Sequence, residues 1–439
     1  MQISDLNSHR IGVLGFGQEG QAVLSYLKKH GLTATVFDEK DGSFDSISDC
    51  TLLFRSPGVW LNHPKILEAE NGVTIITSQT KWFFEHCPAK IIGITGTKGK
   101  GTTSSLIYDT LKAAGKSAYL TGNIGKLQPL EFLDDLSEND LVVYELSSFQ
   151  LQDLTQSPRI GVCLMVTSDH LNHHNDLGEY HTAKAAITNF QTEQDIAIYN
   201  IDYETSNKIG LLGKAQKFAI SAKHKPTQGA YISGEKVQLS SSNAELVMDF
   251  SNRKLRGAHN LENIAASSLV CSVLGINPKI IAKTADDFNG LEHRLQFLGT
   301  FSDVSFYNDS ISTVPETTMA AVKAFTEPIH LILGGSNKGL TYDQLVQDLS
   351  NVDNLTSITL LGETGKTIKE IFEKQTLNQS SKKIPLFGPY TDFKLAISEI
   401  KSRAKAGDVV LLSPASASFD MFKNYAERGN EFTKLAKAN

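Results

Sequence analysis

Residues 90–106, KIIGITGTKGKGTTSSL, carry the strongest chemical signal in the chain. An apolar run ending at Thr95 meets Gly96-Thr97-Lys98-Gly99-Lys100-Gly101-Thr102, and a helix-forming segment follows. Glycines let backbone N–H groups turn inward around phosphate oxygens, and a helix N-terminus adds partial positive charge. Lys100 is expected to reach the terminal phosphates of ATP, and a hydroxyl just beyond it to ligate Mg2+. The spacing is GxxGK rather than GxxxxGK, and Gly101 displaces that hydroxyl to Thr102. A second motif, Gly15-Phe16-Gly17-Gln18-Glu19-Gly20, follows the apolar run IGVLG, and Asp38 closes the next run, TATVFD. This is a dinucleotide-type fingerprint, compatible with NAD, another nucleotide or tight packing alone. Beside a separate ATP loop it reads as a site for the diphosphate and nucleoside of a second substrate.

Loops of this kind need a strand before them and a helix after them. Strand-like and helix-length segments do alternate nearly throughout, as in IHLILGG followed by YDQLVQDL, which predicts βαβ units and parallel sheets. At 439 residues with 40% hydrophobic content, the chain exceeds one ordinary core. Breaks at HCPAK (86–90) and near GLEHRLQF (290–297) divide it into three expected α/β domains, residues 1–89, 90–293 and 294–439. The first and third are expected to be Rossmann-like and the central one P-loop-like. Short alternating runs from about residue 200 to 257 predict a small antiparallel insertion in the central domain. A net charge of −6 without a basic block gives no reason to expect a nucleic-acid or membrane-surface partner. No apolar stretch suggests a membrane span, and the polar N-terminus does not read as a secretory signal. Four scattered cysteines without CxxC spacing point to a reducing, cytoplasmic setting.

Taken in order, further motifs extend the pattern along essentially the whole chain. They are TGNIG (121–125), YELSSFQLQ (144–152), SDHLNHH (168–174), YHTAKAAI (180–187) and GAHNLENIAA (257–266). GLEHRLQF, YNDSIST (307–313), LGGSNKG (333–339) and LLSPASASFDMFKNYAERGNEF (411–432) continue it. With TGTKGKGTT, this series resembles the Mur ligase family of cell-wall synthesis, and ELSSFQL with SPASASFD resembles its glutamate-adding branch.

The resemblance implies an ATP-dependent acid–amino-acid ligase that forms an acyl-phosphate and then an amide. The substrates implied are UDP-N-acetylmuramoyl-L-alanine, glutamate and ATP, in a cytoplasmic monomer. It implies two Mg2+ sites, one on Thr102 and Glu145, the other on His170 and Lys184. Lys184 is expected to be carbamylated, which turns a cation into an anionic oxygen ligand. The first glycine motif then holds the UDP portion, and Asn123, Ser147 and Gln150 lie near the muramoyl-alanine group or the metals. Asn260 and Asn263 are implied at adenine, Arg294 at the γ-phosphate and Asp309 at the nucleotide. Thr313, Lys338, Ser418, Phe419 and Tyr425 are implied in the glutamate pocket, and closure between domains is expected to assemble the site.

Two departures matter. Gly101 resembles the folylpolyglutamate synthases, which lack a nucleotide-diphosphate domain before the phosphate loop. The segment Asn308-Asp309-Ser310-Ile311-Ser312-Thr313-Val314 stands where NDSKATN is common, and resembles a sub-branch using L-glutamate with a separate epimerase. D-glutamate is the expectation here as the commoner family activity. A nicotinamide oxidoreductase would use only the first motif, and a non-catalytic relative would be expected to have lost some of Lys100, Glu145, His170, Lys184 and Lys338.

Overall fold

The computed structural model describes every residue except 40–41, 73, 168–175, 242–243, 379–383 and 439. Three sheets are built, one from each expected segment. The first comprises β1 (Ile11–Leu14), β2 (Ala34–Phe37), β3 (Leu52–Arg55) and β4 (Ile75–Ser78), all parallel in the order β2-β1-β3-β4. All four residues of β1 are buried, as expected of a strand covered on both faces. The helix Gln18–Lys29 packs on this sheet through Ala22, Val23, Tyr26 and Leu27, and ends in Lys28 and Lys29, which suit its negative end.

The second sheet runs β13-β12-β11-β10-β9-β8-β5-β7-β6. Its strands are β5 (Lys90–Thr95), β6 (Ala118–Gly122), β7 (Leu141–Glu145), β8 (Ile160–Cys163) and β9 (Ile196–Asn200). The rest are β10 (Gln216–Ser221), β11 (Gly229–Ser233), β12 (Lys236–Ser241) and β13 (Ala244–Asp249). The expected antiparallel insertion is present as β11-β12-β13, but it is no separate body. β10 pairs in parallel with both β9 and β11, so the insertion extends the central sheet.

The third sheet is β14-β15-β19-β16-β17-β18. It contains β14 (Gln296–Phe301), β15 (Val304–Asn308), β16 (Ile329–Gly334), β17 (Leu355–Leu361), β18 (Leu386–Tyr390) and β19 (Val409–Leu412). Only the β14–β15 hairpin is antiparallel. Separate apolar clusters, around Leu331, Leu345 and Ile358 and around Phe306, Ile397 and Phe432, fill this unit.

Three domains were expected; the three sheets form two compact units. The first is Met1–Ser251 with Leu261–Ala285, and the second is Asn252–Asn260 with Asp286–Asn439. The first two sheets merge because one apolar cluster runs through both, from Val13 and Phe54 through Trp82 and Phe83 to Phe132 and Tyr144. All four cysteines are free thiols, and Cys50, Cys163 and Cys271 are buried. No helix among the described residues is long and apolar enough to cross a membrane.

Candidate active site

The phosphate loop leaves an interior strand of the second sheet, β5, which lies between β7 and β8. The chain leaves β5 toward β6 on one side and leaves the adjacent β8 toward β9 on the other, the place where open α/β sheets leave a crevice beyond their strand ends. Gly96 and Gly99 have φ of 155° and 89°, values that side-chain-bearing residues rarely adopt. A Cβ at Gly99 would also collide with the amide oxygen of Asn263. The helix Lys100–Ala113 starts directly after Gly99, so its first N–H groups open toward the loop. The Lys100 ammonium donates to the carbonyls of Gly96 (2.9 Å) and Thr97 (3.2 Å).

Around this loop, hydrogen bonds fix the backbone. Thr97 donates its N–H to Met165 O at 2.7 Å, and its hydroxyl bonds Thr167 and Tyr180. Lys184, 2% exposed, donates to Thr95 Oγ1 at 3.3 Å and Gly96 O at 3.1 Å, with its ammonium 4.8 Å from the Tyr180 ring centre. Glu145 ends β7 opposite Ile94 of β5, and is buried, as is Thr102. A hydroxyl and a carboxylate are oxygen donors suited to Mg2+, which takes its remaining positions from phosphates and water. His170 lies outside the described residues. Among the described residues there is no cluster of three His, Cys, Asp or Glu side chains able to hold a metal.

The first glycine motif turns at Gly15, φ 84°, and Gly17 caps the helix Gln18–Lys29. A Cβ at Gly20 would strike the Gly15 carbonyl, whereas one at Gly17 would meet nothing, leaving that face open to a ligand. Asp38 follows β2, as expected. Glu19 behaves differently from a ligand residue. Its carboxyl turns inward and accepts from Gln150 Nε2 at 2.8 Å. Burial raises it to about 7, partly offset by the Gln150 and Gln79 amides and the Arg55 charge. Ser147 and Gln150 cap each other at the start of the helix Ser148–Leu151, and Asn123 is exposed.

In the second unit the loops beyond β15, β16 and β19 meet. Asp309 accepts from Leu295 N at 3.0 Å and from Ser413 Oγ at 2.8 Å. Burial lifts its carboxyl to about 6, against the pull of these donors and of the Arg294 charge. Ala415, held at φ 53°, donates its N–H to Ser312 O, which ties the segment before Thr313 to the SPASAS loop. Ser336 N donates to Ala417 O and Phe419 N to Ser336 Oγ. Lys338 lies 5.0 Å from the centre of the exposed Phe419 ring, while Ser418 is buried beside it and Tyr425 opens the last helix. A cation, hydroxyls and N–H groups on these loops suit a dicarboxylate.

Two family models match: "Mur ligase middle domain" over residues 94–271 and "Mur ligase, glutamate ligase domain" over 293–416. A UDP-N-acetylmuramoylalanine–D-glutamate ligase of Clostridium tetani is 33% identical, over 98% of this chain and 96% of its own length. The like-named enzyme of Acetivibrio thermocellus is also 33% identical, over 99% and 97%. This chain belongs to the Mur ligase family. It is an ATP-dependent ligase that forms amide bonds. Among solved structures, this Mur ligase is similar to the UDP-N-acetylmuramate-alanine ligase of Thermotoga maritima, with TM-score 0.59 and 18% identity over 98% of this chain and 100% of that one. It is also similar to the MurF ligase of the same organism in complex with ADP, with TM-score 0.57 and 17% identity over 98% and 95%. At such identities the likeness concerns the fold.

For this Mur ligase, the phosphate-loop residues gather as the spacing predicted. Asn263, expected at adenine, accepts from Thr103 Oγ1 at 3.3 Å and lies against Gly99, so it braces the loop. Asn260 donates to Arg256 O at 2.6 Å. Sequence reasoning missed Arg428, 1% exposed, which donates to Ser310 Oγ and O and to the carbonyls of Ser416 and Ala417. It also missed Arg55, buried at the end of β3 and bonded to Val59 O and Phe149 O. Nothing in an isolated arginine signals burial. Its carbonyl partners come from distant loops and have no side-chain identity.

Proposed function

We propose that this Mur ligase adds D-glutamate to UDP-N-acetylmuramoyl-L-alanine in peptidoglycan precursor synthesis. The observation that carries the reading is the 33% identity, over nearly the whole chain, to ligases named for that substrate and D-glutamate. In this reading the open N–H groups at Gly17 take the UDP diphosphate. The loop from Gly96 to Thr102 cradles the ATP phosphates, and Lys100 leaves its carbonyl contacts to bond the γ-phosphate. The alanyl carboxylate attacks the γ-phosphorus, giving an acyl-phosphate and ADP. The glutamate amine, neutral after losing a proton, attacks the acyl carbon; collapse releases phosphate and leaves the amide. Lys338, Ser418 and Tyr425 hold the glutamate carboxylates. Thr102 and Glu145 would hold one Mg2+ and Lys184, once carbamylated, would supply an oxygen to a second, where the family resemblance also assigns His170; bound there, the ions would neutralise phosphate charge.

A second reading keeps the chemistry and exchanges the amino acid for L-glutamate. It is favoured by Ile311, which stands where a lysine is common, removing a cation near the pocket. Phosphate release with UDP-N-acetylmuramoyl-L-alanine, ATP and Mg2+ is measured with each enantiomer in turn. Turnover with D-glutamate alone supports the first reading, and turnover with L-glutamate alone replaces it by the second. No turnover with either sinks both.

A further inference from the structure

Two side chains at the C-terminal edge of the first sheet converge on one short helix that follows β7. Glu19, in the first turn of the helix Gln18–Lys29, accepts from Gln150 Nε2 at 2.8 Å. Arg55, at the end of β3, donates to Phe149 O at 3.3 Å and stands 3.5 Å from Asp153 Oδ2. Both reach the helix Ser148–Leu151, which begins three residues after Glu145. Gln150 passes the contact on: its Oε1 accepts from Ser147 N at 2.9 Å and from Ser147 Oγ at 3.1 Å. Glu19, Gln150 and Ser147 therefore form one chain of hydrogen bonds from the proposed diphosphate turn to the turn following the proposed Mg2+ ligand.

The arrangement carries a cost. Among the described residues no close hydrogen bond reaches the buried Glu19 Oε2 or Arg55 Nε, and the Gln79 amide offers Glu19 only a weaker pull. A buried, half-satisfied polar network is less stable than apolar packing, so its presence calls for a role beyond stability. The groups that face Glu19 are Arg55 from β3, Gln79 from the helix Gln79–His86, Tyr144 from β7, and Gln150 and Asp153. Among the described residues no cation pairs directly with it, and Arg55 acts on it only through its charge. A carboxylate there would also be repelled by a diphosphate at the same helix end.

We propose that Glu19 is a positioning residue which, through Gln150, couples filling of the first-sheet nucleotide site to the geometry of the Ser147–Leu151 turn beside Glu145. The proposal rests on the UDP-binding reading of the glycine motif. It assigns Glu19 no direct ligand contact; its effect is on turnover.

The test is a double-mutant cycle with Glu19→Ala and Gln150→Ala, reading kcat, KM for ATP and the affinity for UDP by calorimetry. Each single variant is expected to lower kcat about tenfold or more, from misplacement beside the reacting groups. UDP affinity stays within about threefold, and the double variant is no worse than the worse single one. Glu19→Gln, whose amide oxygen still accepts from Gln150, restores most of kcat. Additive effects in the cycle, or loss of UDP affinity with kcat unchanged, overturn the coupling while leaving the UDP reading intact. Failure of the wild-type protein to bind UDP overturns that reading and the coupling with it. Should Glu19→Ala fail to fold, Glu19→Asp, one methylene short of Gln150, takes its place: unchanged kcat overturns the proposal and a lowered kcat supports it.

Discussion

At the scale of single residues, the phosphate loop makes the sharpest predictions. Lys100→Ala removes the side chain that donates to the Gly96 and Thr97 carbonyls and that the proposed function places on the γ-phosphate. ATP turnover should fall by about a hundredfold or more, with the melting temperature nearly unchanged. Wild-type activity in that variant would exclude the assignment. Gly99→Ala is worse than its small size suggests, because φ is 89° and Asn263 fills the space a methyl would need. ATP affinity should drop at least about tenfold, read by calorimetry, since the first-turn N–H groups shift. Glu19 gives a pH signature of its own. Burial raises its carboxyl from 4.5 to about 7. A carboxyl raised on folding costs nothing at low pH and draws stability down as pH climbs through its folded value. Glu19→Gln should therefore gain stability over the wild type between pH 5 and pH 8, by about 1–3 kcal/mol at the upper end. A gap that is flat with pH in paired melting curves would show that the carboxyl does not titrate there.

At the scale of elements, the second unit depends on Arg428. The helix Tyr425–Lys437 carries it into a space where four hydrogen bonds join the segment after β15 to the loop after β19. Burial lowers its guanidinium to about 10, so it stays charged in neutral solution. Arg428→Ala takes the guanidinium donor from the carbonyls of Ser310 and Ser416 and leaves Ala417 O with Ser336 N alone, costing about 3–5 kcal/mol in chemical denaturation. Arg428→Lys retains the charge but not the planar fork, and should recover only part of that loss. Equal stability of all three proteins would mean that the loops hold themselves. The motifs on both sides, NDSIST and SPASASFD, were legible as sequence. The tie between them was not, because it runs from a side chain to main-chain oxygens.

At the scale of the whole molecule, the apolar pattern predicted α/β layers and the three segments that build the sheets. It did not predict that the first two sheets merge into one unit. Trp82 explains why: 1% exposed, it packs on Phe54 of β3 and stacks on His86 at 4.0 Å, within the cluster that continues to Tyr144 of β7. Trp82→Ala should destabilise this unit by about 3–5 kcal/mol. Hydrogen exchange of amides in β1–β4 and β5–β8 should rise together, as expected of a single cooperative body. Acceleration confined to β1–β4 would mean that the first sheet folds separately.

The sequence by itself determined the strand–turn–helix units, the two glycine loops and the residue types on their rims. Those features depend on local spacing, on the φ freedom of glycine and on apolar periodicity, all of which are written within a few residues. Only the tertiary structure decided that Glu19 turns inward onto Gln150, that Asn263 braces Gly99, and that Arg55 and Arg428 are buried. Those outcomes depend on which distant backbone groups need donors once the sheets have packed, and no local pattern records that demand.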